Sequence, residues 1–381
     1  MGTFDERLAE ALAGVAARGR RRELKPAQLA PGGRILRDGR SLLDFSSNDY
    51  LGLAGHPLLA ARAGESAARH GAGAAASRLV TGTSPAHLAL EARIAAFKGT
   101  PAALLFASGW QANATVIPAL LAALPGAAVF TDRLVHASMH AGLTGTRQHR
   151  FRHNDLAHLG ELLERHGPAA PARLILAESV YSMDGDRADI PALAALARTH
   201  DAVLMVDEAH ATGVLGPAGA GLCAGVDGVQ VVMGTFSKAF GGFGAYVAGS
   251  VALKDWLVNA ASGMIFSTAP PPAVLGAIDA ALDLVPAMDA ERAHLAALGE
   301  RLRTGLAARG FATAGSSTQI VPAIVGSEAD ALALSERLAT RGMLAAAIRP
   351  PTVPAGTSRL RLALRATHAA ADVDALLEAL A

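Results

Sequence analysis

Between about residues 90 and 250 the chain alternates short apolar runs with longer segments of helical pattern. Short apolar runs bounded by polar or glycine-rich stretches are typical of buried strands. Segments rich in alanine and leucine, of helical length, lie between most of these runs. This alternation predicts a mostly parallel sheet with helices on both faces. The predicted strands are 102–106, 127–130, 173–177, 202–206, 229–233 and 245–249.

Beyond about residue 285 the order of elements changes, and a small α+β domain is expected. In the last helix Val373, Leu376, Leu377 and Leu380 follow the i, i+3, i+4, i+7 spacing of one apolar face. The elements predicted before it are a helix over about 288–309, a strand over 319–325, a helix over about 328–341 and strands over 344–348 and 359–364. The whole pattern predicts an N-terminal helical segment over 1–45, a large α/β domain over 46–285 and a small C-terminal α+β domain over 286–381.

The composition is that of a globular protein with ample material for a hydrophobic core. Hydrophobic residues make up 51% of the 381 residues, and a chain of this length favours two domains. The 34 basic and 33 acidic residues nearly balance, so the overall charge does not favour a nucleic-acid partner. One basic cluster, at 18–22, is local. The single cysteine, Cys223, excludes an internal disulfide and a cysteine-rich metal site, and no metal is expected.

No segment has the pattern of a secretory signal or of a membrane span. At the N-terminus acidic residues come first and arginines later, the reverse of a signal peptide. A stretch without charge separates Lys98 from Asp132, but Pro118 and Pro125 interrupt it, and a buried α/β core explains it better than a membrane helix. We therefore expect a cytoplasmic protein that does not enter the membrane.

Polar residues follow the predicted strands, at the sheet edge where ligands bind in open α/β folds. Ser108, Gly109 and Trp110 follow one strand where a helix is expected to begin, and the N–H groups of a helix start suit a phosphate. A plain helix cap by Ser108 explains the same residues equally well. Thr235 and Ser237 follow another strand and offer hydroxyl groups for the same phosphate.

Ionisable side chains also stand at these strand ends. Lys238 lies between an apolar strand and a cluster of glycines, although most lysines are solvated surface charges. Asp207 ends a wholly apolar strand, where a carboxylate must be paired, solvated or protonated. His210 follows three residues later, and His136, after another strand, offers a flat imidazole face to an aromatic ligand. Each of these residues, taken alone, is more often structural than catalytic.

Together these side chains predict a site for a phosphorylated aromatic cation, and pyridoxal 5'-phosphate (PLP) matches that description. The aldehyde of PLP needs a lysine for a Schiff base, and Lys238 supplies one. Its pyridine nitrogen needs a carboxylate to stay protonated, so that the ring accepts electrons, and Asp207 supplies it. Its phosphate needs hydroxyl and N–H groups, which Ser108, Gly109 and Thr235 provide.

With these residues in view, the sequence resembles the α-oxoamine synthases, a branch of the fold-type I PLP-dependent enzymes. The resemblance implies a fold-type I PLP-dependent transferase, α/β, with a large mostly parallel sheet domain and a smaller C-terminal α+β domain. It covers most of the chain, up to RLRLAL (359–364). The long ordered motifs that carry it are LDFSSNDYLGLAGHP (43–57), SRLVTGTSPAHLALE (77–91), ESVYSMDGD (178–186), VDEAHATGVLG (206–216) and GTFSKAFGGFG (234–244).

The resemblance implies a role for each residue at the cofactor. Lys238 forms the Schiff base and later moves protons, Asp207 pairs with the pyridinium nitrogen, and His136 stacks on the ring. Ser182 and His210 hydrogen-bond around the ring oxygen. The other residues expected at the cofactor are Ser108, Gly109, Trp110, Thr235 and Ser237, where Trp110 replaces a phenylalanine or tyrosine often found in the family.

The resemblance also implies residues that bind the substrates. Arg361 is expected to clamp the amino-acid carboxylate, because a guanidinium group matches carboxylate geometry. Arg349 and Thr352, together with His136, are expected at the substrate end of the site. One arginine of 20–22 is expected to meet the acyl substrate, and we choose Arg20, although the sequence leaves the register open.

The stretch 347–364 most resembles the family branch that joins L-alanine to a pimeloyl thioester in biotin biosynthesis. This implies a decarboxylative condensation that releases CO₂ and the thiol carrier, which is CoA or acyl carrier protein. Glycine C-acetyltransferase, 5-aminolevulinate synthase and serine palmitoyltransferase share the cofactor residues and remain alternatives, as does a PLP-binding protein without acyl transfer. The family further implies a homodimer, in which Ser267 or Thr268 of a neighbouring subunit reaches the phosphate.

Overall fold

A computed structural model describes residues 3–381 and arranges their strands in three sheets. The strands are β1 (Gln28–Ala30), β2 (Arg34–Arg37), β3 (Arg40–Asp44), β4 (Ala102–Phe106), β5 (Ala128–Asp132), β6 (Gln148–Phe151), β7 (Arg173–Glu178), β8 (Val203–Asp207), β9 (Val231–Thr235), β10 (Ala245–Gly249), β11 (Ile320–Gly326), β12 (Met343–Leu344), β13 (Ala346–Ile348) and β14 (Ser358–Ala363).

Helices connect most of the strands, and three short helical turns of other types, Arg78–Gly82, Pro217–Gly219 and Val285–Ala287, accompany them. The α-helices are α1 (Phe4–Ala17), α2 (Pro57–His70), α3 (Pro85–Lys98), α4 (Gly109–Ala123), α5 (Ala137–Gly142), α6 (Leu156–His166), α7 (Ile190–Thr199), α8 (Val251–Ala260), α9 (Ser262–Ile265), α10 (Pro272–Leu284), α11 (Asp289–Ala307), α12 (Glu328–Thr340) and α13 (Ala370–Leu380). Within the described residues, no helix has both the length and the apolar character needed to cross a membrane.

The largest sheet has seven strands in the order β4-β10-β9-β8-β7-β5-β6. Only β10 runs against its neighbours, so the predicted mostly parallel sheet is confirmed. The predicted strands at 102–106 and 245–249 coincide with β4 and β10, and the other four overlap observed strands with small shifts. The edge strand β6 was missed because three of its four residues are polar and lie partly or fully in solvent, which hides the apolar pattern of a strand.

Both faces of this sheet are covered by helices, as the uninterrupted apolar runs require. Along β7, Leu174 and Leu176 point to one face, where they pack with residues of α4 and α5. Ile175 and Ala177 point to the opposite face and pack with residues of α6 and α7. This alternation follows from the two-residue period of a strand.

The C-terminal part forms a three-stranded antiparallel sheet in the order β11-β14-β13, accompanied by α11, α12 and α13. The predicted apolar face of α13 is confirmed, since its four residues are all buried. The elements agree with the small α+β unit expected from the sequence, whereas the borders at about residues 45 and 285 stay predictions.

The N-terminal segment 1–45 was predicted to be helical, and this was wrong for its second half. Within residues 3–45 only α1 is helical, and β1, β2 and β3 follow it, joined to β12 in a four-stranded sheet. Asp38 and Gly39 both have positive φ, which builds the tight turn between β2 and β3. Asp-Gly is a strong signal for such a turn, so the sequence contained the information that the helical interpretation ignored.

Candidate active site

A cavity of about 220 Å³ opens at the carboxyl ends of the parallel strands of the large sheet. Most of the residues that were predicted at strand ends line this cavity, because the residues that follow parallel strands lie at one edge of the sheet. Those predicted residues are Ser108, Gly109, Trp110, His136, Asp207, His210, Thr235, Ser237 and Lys238. The cavity is also lined by Asn113, Ser138, Glu178, Ala209 and Met233, which the sequence analysis did not single out.

Lys238 lies at one end of a chain of hydrogen bonds. Its Nζ lies 2.7 Å from Nε2 of His210, and Nδ1 of His210 lies 2.6 Å from the hydroxyl of Tyr50. The hydroxyl of Tyr50 then donates to Oδ1 of Asn48 at 3.0 Å. Arg361 donates to the same Asn48 oxygen from Nη1 at 3.0 Å. The chain therefore connects the candidate Schiff-base lysine to the candidate carboxylate clamp.

Burial makes the amine at the centre of the site unusually easy to deprotonate. Loss of hydration lowers the pKa of Lys238 to about 8, against partial compensation by the negative charge of Asp207. Burial, together with the positive charges of Lys238 and Arg361, lowers the pKa of His210 well below its ordinary value. His210 is therefore neutral near pH 7, and the amine of Lys238 is poised to act as a nucleophile or a base.

Asp207 is a buried carboxylate held by two donors. Its Oδ2 accepts from Nδ2 of Asn113 at 2.8 Å, and its Oδ1 accepts from the backbone N–H of Ala209 at 2.8 Å. Hydrogen bonds of this kind favour the charged form of a carboxyl group and fix its direction. Asn113 therefore presents Asp207 to the cavity in one orientation.

His136 begins α5 and is fixed by the same network. Its Nδ1 accepts from the backbone N–H of Ser138 at 3.2 Å and lies 2.7 Å from the hydroxyl of Ser138, which Asn113 also contacts at 3.0 Å. Burial lowers the pKa of His136, so its ring is uncharged near neutral pH. The indole of Trp110 meets this ring edge-on, with the ring centroids 6.1 Å apart. A neutral, oriented imidazole suits contact with an aromatic ligand.

The polar end of the cavity combines a helix start with hydroxyl groups. Ser108 caps α4, because its Oγ accepts from the N–H of Gln111 at 3.1 Å, so the cap interpretation holds. Gly109 opens the first turn of α4 and approaches Thr235, whose hydroxyl lies 2.8 Å from that of Ser237. A helix start beside two hydroxyl groups is the arrangement that binds phosphate, so the cap and the phosphate interpretation are compatible.

Apart from His136, the predicted substrate-binding residues lie outside the lining of this cavity. Arg361 donates from Nε to the carbonyl of Ser182 at 2.6 Å, and it is the predicted substrate residue that the structure connects to Lys238. Arg349 donates to the carbonyl of Gly19 at 2.6 Å, and the N–H of Thr352 donates to the carbonyl of Arg349. Arg20 forms a salt bridge with Glu328, with 3.0 Å between Nη2 and Oε1. The roles of these residues stay predictions.

Sequence reasoning missed Asn48, Tyr50, Asn113, Ser138 and Glu178. Asn48 and Tyr50 lie in a quoted motif, LDFSSNDYLGLAGHP, but are far in the chain from the strand ends that were searched. Asn113 lies within the uncharged stretch between Lys98 and Asp132, which was interpreted only as buried core. Asn113 comes four residues after Gly109, so both lie on one side of α4. This spacing could have identified Asn113 as a residue of the site.

The residues present fit PLP. The cavity holds one amine of lowered pKa, a buried carboxylate, an imidazole face and a phosphate-type cradle. Two buried polar atoms in its wall, Oδ1 of Asn113 and Oε1 of Glu178, have no hydrogen-bond partner among the described residues. Unpaired buried polar atoms are costly, so a polar ligand that satisfies them is expected. A larger cavity of about 540 Å³ between α2, α3 and α10 brings together no comparable set of groups.

Known proteins resemble this chain in sequence and in fold. Residues 40–380 match the family model described as aminotransferase class I and II. A Gluconacetobacter diazotrophicus protein named 8-amino-7-oxononanoate synthase is 59% identical over 387 residues, covering 100% of this chain and 97% of that relative. A solved structure of SPT with a PLP internal aldimine is 29% identical with a TM-score of 0.90, covering 99% of this chain and 96% of that one. A crystal structure of 8-amino-7-oxononanoate synthase from Francisella tularensis is similar in fold, with a TM-score of 0.77 at 24% identity, covering 89% of this chain and 96% of that one.

Proposed function

The chain belongs to the aminotransferase class I and II family, and we propose that it condenses L-alanine with a pimeloyl thioester in a PLP-dependent reaction. The products are 8-amino-7-oxononanoate, CO₂ and the free thiol carrier, and the pathway is biotin biosynthesis. The observation that carries the proposal is the 59% identity, over the whole chain, to a relative named for this reaction. The cavity around Lys238 and Asp207 supports it with the side chains that such chemistry needs.

Residues of the cavity would hold each part of the cofactor. Ser108, Gly109, Thr235 and Ser237 would bind the phosphate, and Asp207 would hold the proton on the ring nitrogen. His136 would lie against the face of the ring, with Trp110 at its edge. Asn113 fixes Asp207 and, through Ser138, His136, so two contacts to the ring depend on one amide.

When bound, PLP supplies an electron sink that stabilises negative charge on the amino acid next to its carboxylate. Lys238 would hold the cofactor and would then, as a free amine, take up and return the α-proton at Nζ. The neutral His210 accepts a hydrogen bond from Nζ, which keeps the amine in place. Asp207 would hold the proton on the ring nitrogen while the amino acid is deprotonated.

Arg361 would bind the amino-acid carboxylate. Its guanidinium is anchored by the carbonyl of Ser182 and by Oδ1 of Asn48, so one face of the group is fixed by the protein. A planar guanidinium held in this way presents parallel donors to a carboxylate. Loss of CO₂ from the condensation product would then release the group that Arg361 had held.

We also propose that the protein works as a homodimer with the site at the subunit interface. Leu79, Val80 and Phe266 are exposed by 50%, 75% and 84%, and Thr268 pairs with Ser77 in an isolated bridge that brings their segments together. This exposed apolar surface next to Ser267 and Thr268 suits a second copy of the chain. Sedimentation velocity tests it, and a monomer that is fully active would contradict it.

Kinetics with matched substrate pairs test the proposed reaction. The purified protein is loaded with PLP and given L-alanine or glycine together with pimeloyl-CoA or acetyl-CoA. We expect the highest kcat/KM for L-alanine with pimeloyl-CoA, weak activity with glycine and little with acetyl-CoA. The product is identified by mass spectrometry, and pimeloyl-acyl carrier protein is tested against pimeloyl-CoA to identify the carrier.

The same experiment separates the alternatives. A preference for glycine with acetyl-CoA would assign the chain to the acetyltransferase branch. A borohydride-sensitive PLP band without product from any pair would indicate a PLP-binding protein that transfers no acyl group. Discrimination should be sharper for the acyl group than for the amino acid, because one methyl group is worth only ~1–3 kcal/mol.

A further inference from the structure

A second carboxyl group, that of Glu178, lies next to Asp207 in the wall of the candidate active site. Glu178 is the last residue of β7 and Asp207 the last residue of β8, and the two are direct partners in the parallel register. Residues at the same register position of neighbouring strands point to the same face, and the strands lie roughly 5 Å apart. Both side chains line the cavity, and the two residues are exposed by only 2% and 4%.

The two carboxyl groups have very different partners. Asp207 accepts a hydrogen bond on each oxygen, from Asn113 and from the N–H of Ala209. Glu178 forms no salt bridge with any described residue, and its Oε1 has no hydrogen-bond partner there. The surroundings of Asp207 therefore stabilise a negative charge, whereas those of Glu178 do not.

Two adjacent carboxyl groups in a dry cavity do not both ionise easily, because each negative charge disfavours the other. The charged or titratable groups around Glu178 are Asp207, Asp132, Lys238 and Tyr181. Burial and the charge of Asp207 raise the pKa of Glu178 well above its ordinary value, against a smaller opposite effect of Lys238. The proton of the pair therefore resides on Glu178, which has fewer donors to stabilise a negative charge.

We propose that Glu178 acts in this site as a neutral carboxylic acid, which donates a hydrogen bond to an acceptor atom of the group bound in the cavity. Asp207 is then the anion of the site, and the two strand ends supply one acceptor and one donor. Pairs of carboxyl groups with different environments divide such roles in other active sites. This inference rests on the proposed function, because the bound group is taken to be PLP with or without its amino-acid substrate.

Infrared difference spectroscopy detects the proton directly. Spectra of the PLP-loaded wild-type protein and of Glu178→Gln are recorded at neutral pH, with and without isotope-labelled glutamate. We expect a carbonyl stretch of a protonated carboxylic acid that shifts with the label and disappears in the variant. If the wild type shows only carboxylate bands for the labelled glutamates, Glu178 is an anion and the proposal is overturned.

Cofactor affinity gives a second, independent measurement. Apoproteins of the wild type, Glu178→Gln, Glu178→Ala and Asp207→Asn are titrated with PLP and followed by the cofactor absorption band. Because glutamine keeps an N–H donor at the same place, we expect Glu178→Gln to bind within threefold of the wild type. Glu178→Ala removes the donor and is expected to weaken binding about tenfold. If Glu178→Gln loses as much affinity as Asp207→Asn, Glu178 works as a negative charge and the proposal fails.

Two controls distinguish these outcomes from misfolding of a variant and from failure of the proposed function. Far-UV circular dichroism and thermal unfolding show whether each variant is folded, and a variant that is unfolded is replaced by Glu178→Asp, which keeps the acid at a shorter reach. The shortened acid should retain the protonated-acid band, and its absence would count against the proposal. A wild-type protein that binds no PLP would refute the proposed function itself, which is a different result from any difference among the variants.

Discussion

Nζ of Lys238 lies 2.7 Å from Nε2 of His210, and this contact fixes the tautomer of the histidine. An ammonium group has donors only, so Nε2 must be the acceptor. The proton of the neutral imidazole then resides on Nδ1, which donates to the hydroxyl of Tyr50 at 2.6 Å. Tyr50 in turn donates to Asn48, so every donor in this chain points away from Lys238. The arrangement lets Lys238 lose a proton without leaving a neighbour unpaired.

Attachment of PLP to Lys238 should become faster as the pH rises through about 8. The lowered pKa of Lys238, about 8 rather than 10.5, means that the reactive free amine appears at a lower pH than in ordinary lysines. Stopped-flow absorbance of apoprotein mixed with PLP measures the rate across a pH series. Lys238→Ala is the control and should stay folded, bind PLP only noncovalently and lose turnover. A rate that still climbs steeply near pH 10 would contradict the lowered pKa.

Asp207→Asn is expected to reduce kcat at least hundredfold and to weaken PLP binding. Removing one partner of a buried ion pair typically costs ~3–5 kcal/mol, and the anion at the ring nitrogen would be lost. Asn113→Ala tests the support of Asp207. It removes one hydrogen bond to a charged group, worth ~1.5–3 kcal/mol, so its effect should be smaller. Equal losses in the two variants would mean that the amide of Asn113 contributes as much as the charge of Asp207.

The part of this site that can be predicted from the sequence is the part that lies at the ends of strands. Apolar runs identify buried strands, and a parallel sheet brings the residues after them to one edge, so Asp207, His136 and Lys238 are found together without knowledge of the fold. Tyr50 could not be found in this way, because it reaches His210 across 160 residues of chain. Such a contact depends on tertiary packing that a local pattern does not encode.

Glu178 shows a different limit of sequence reasoning. It lies within a quoted motif and directly after an apolar run, yet its meaning depends on the identity of its strand neighbour. Strand order is set by crossover connections, and the sequence pattern does not fix which strands become adjacent. The same limit applies to the N-terminal strands, whose sheet is completed by β12 from the far end of the chain.

His153 should stabilise the fold most strongly at low and neutral pH. Its Nδ1 lies 3.0 Å from Asp132 and its Nε2 lies 2.8 Å from Asp186. Burial alone would lower the pKa of His153, but these two carboxylates raise it to about 10. A raised folded-state pKa gives stability that is complete below the unfolded value of 6.5 and is lost as the pH rises through about 10.

His153→Gln is therefore expected to lower the free energy of unfolding by about 3 kcal/mol at neutral pH. Urea unfolding at a series of pH values measures the difference from the wild type, which should shrink above pH 10. His70→Gln, at an exposed residue of α2, is the control and should show no such trend. A difference that grows at high pH would refute the assigned charge of His153.

Lys98→Met should destabilise the protein by ~3–5 kcal/mol, because it leaves Glu208 buried without its cation. Nζ of Lys98 lies 2.5 Å from Oε2 of Glu208, and both side chains are almost fully buried. Asp374→Asn breaks the Arg301–Asp374 pair, whose side chains are 50% and 42% exposed, and should change stability very little. Urea unfolding compares the two. Similar losses would show that burial does not decide the strength of these pairs.

Arg20, the arginine chosen for the acyl substrate, already has a partner. Its Nη2 lies 3.0 Å from Oε1 of Glu328, and the preceding residue, Gly19, accepts a hydrogen bond from Arg349. The hydrogen bond from Arg20 lowers the pKa of Glu328, which is therefore ionised at neutral pH. A pimeloyl chain ends in a second carboxylate, and binding of that carboxylate at Arg20 would have to compete with Glu328.

This competition predicts opposite effects of two substitutions on the same Michaelis constant. Arg20→Ala should raise the KM for pimeloyl-CoA, whereas Glu328→Gln should lower it, because the positive charge of Arg20 is then no longer neutralised. Neither change should affect the weak reaction with acetyl-CoA, which has no second carboxylate. Arg21→Ala is the matched control, since Arg21 is exposed and lies 3.8 Å from Glu23. If Arg21→Ala raises the KM and Arg20→Ala does not, the register chosen from the sequence is wrong by one residue, and the acyl carboxylate binds without displacing Glu328.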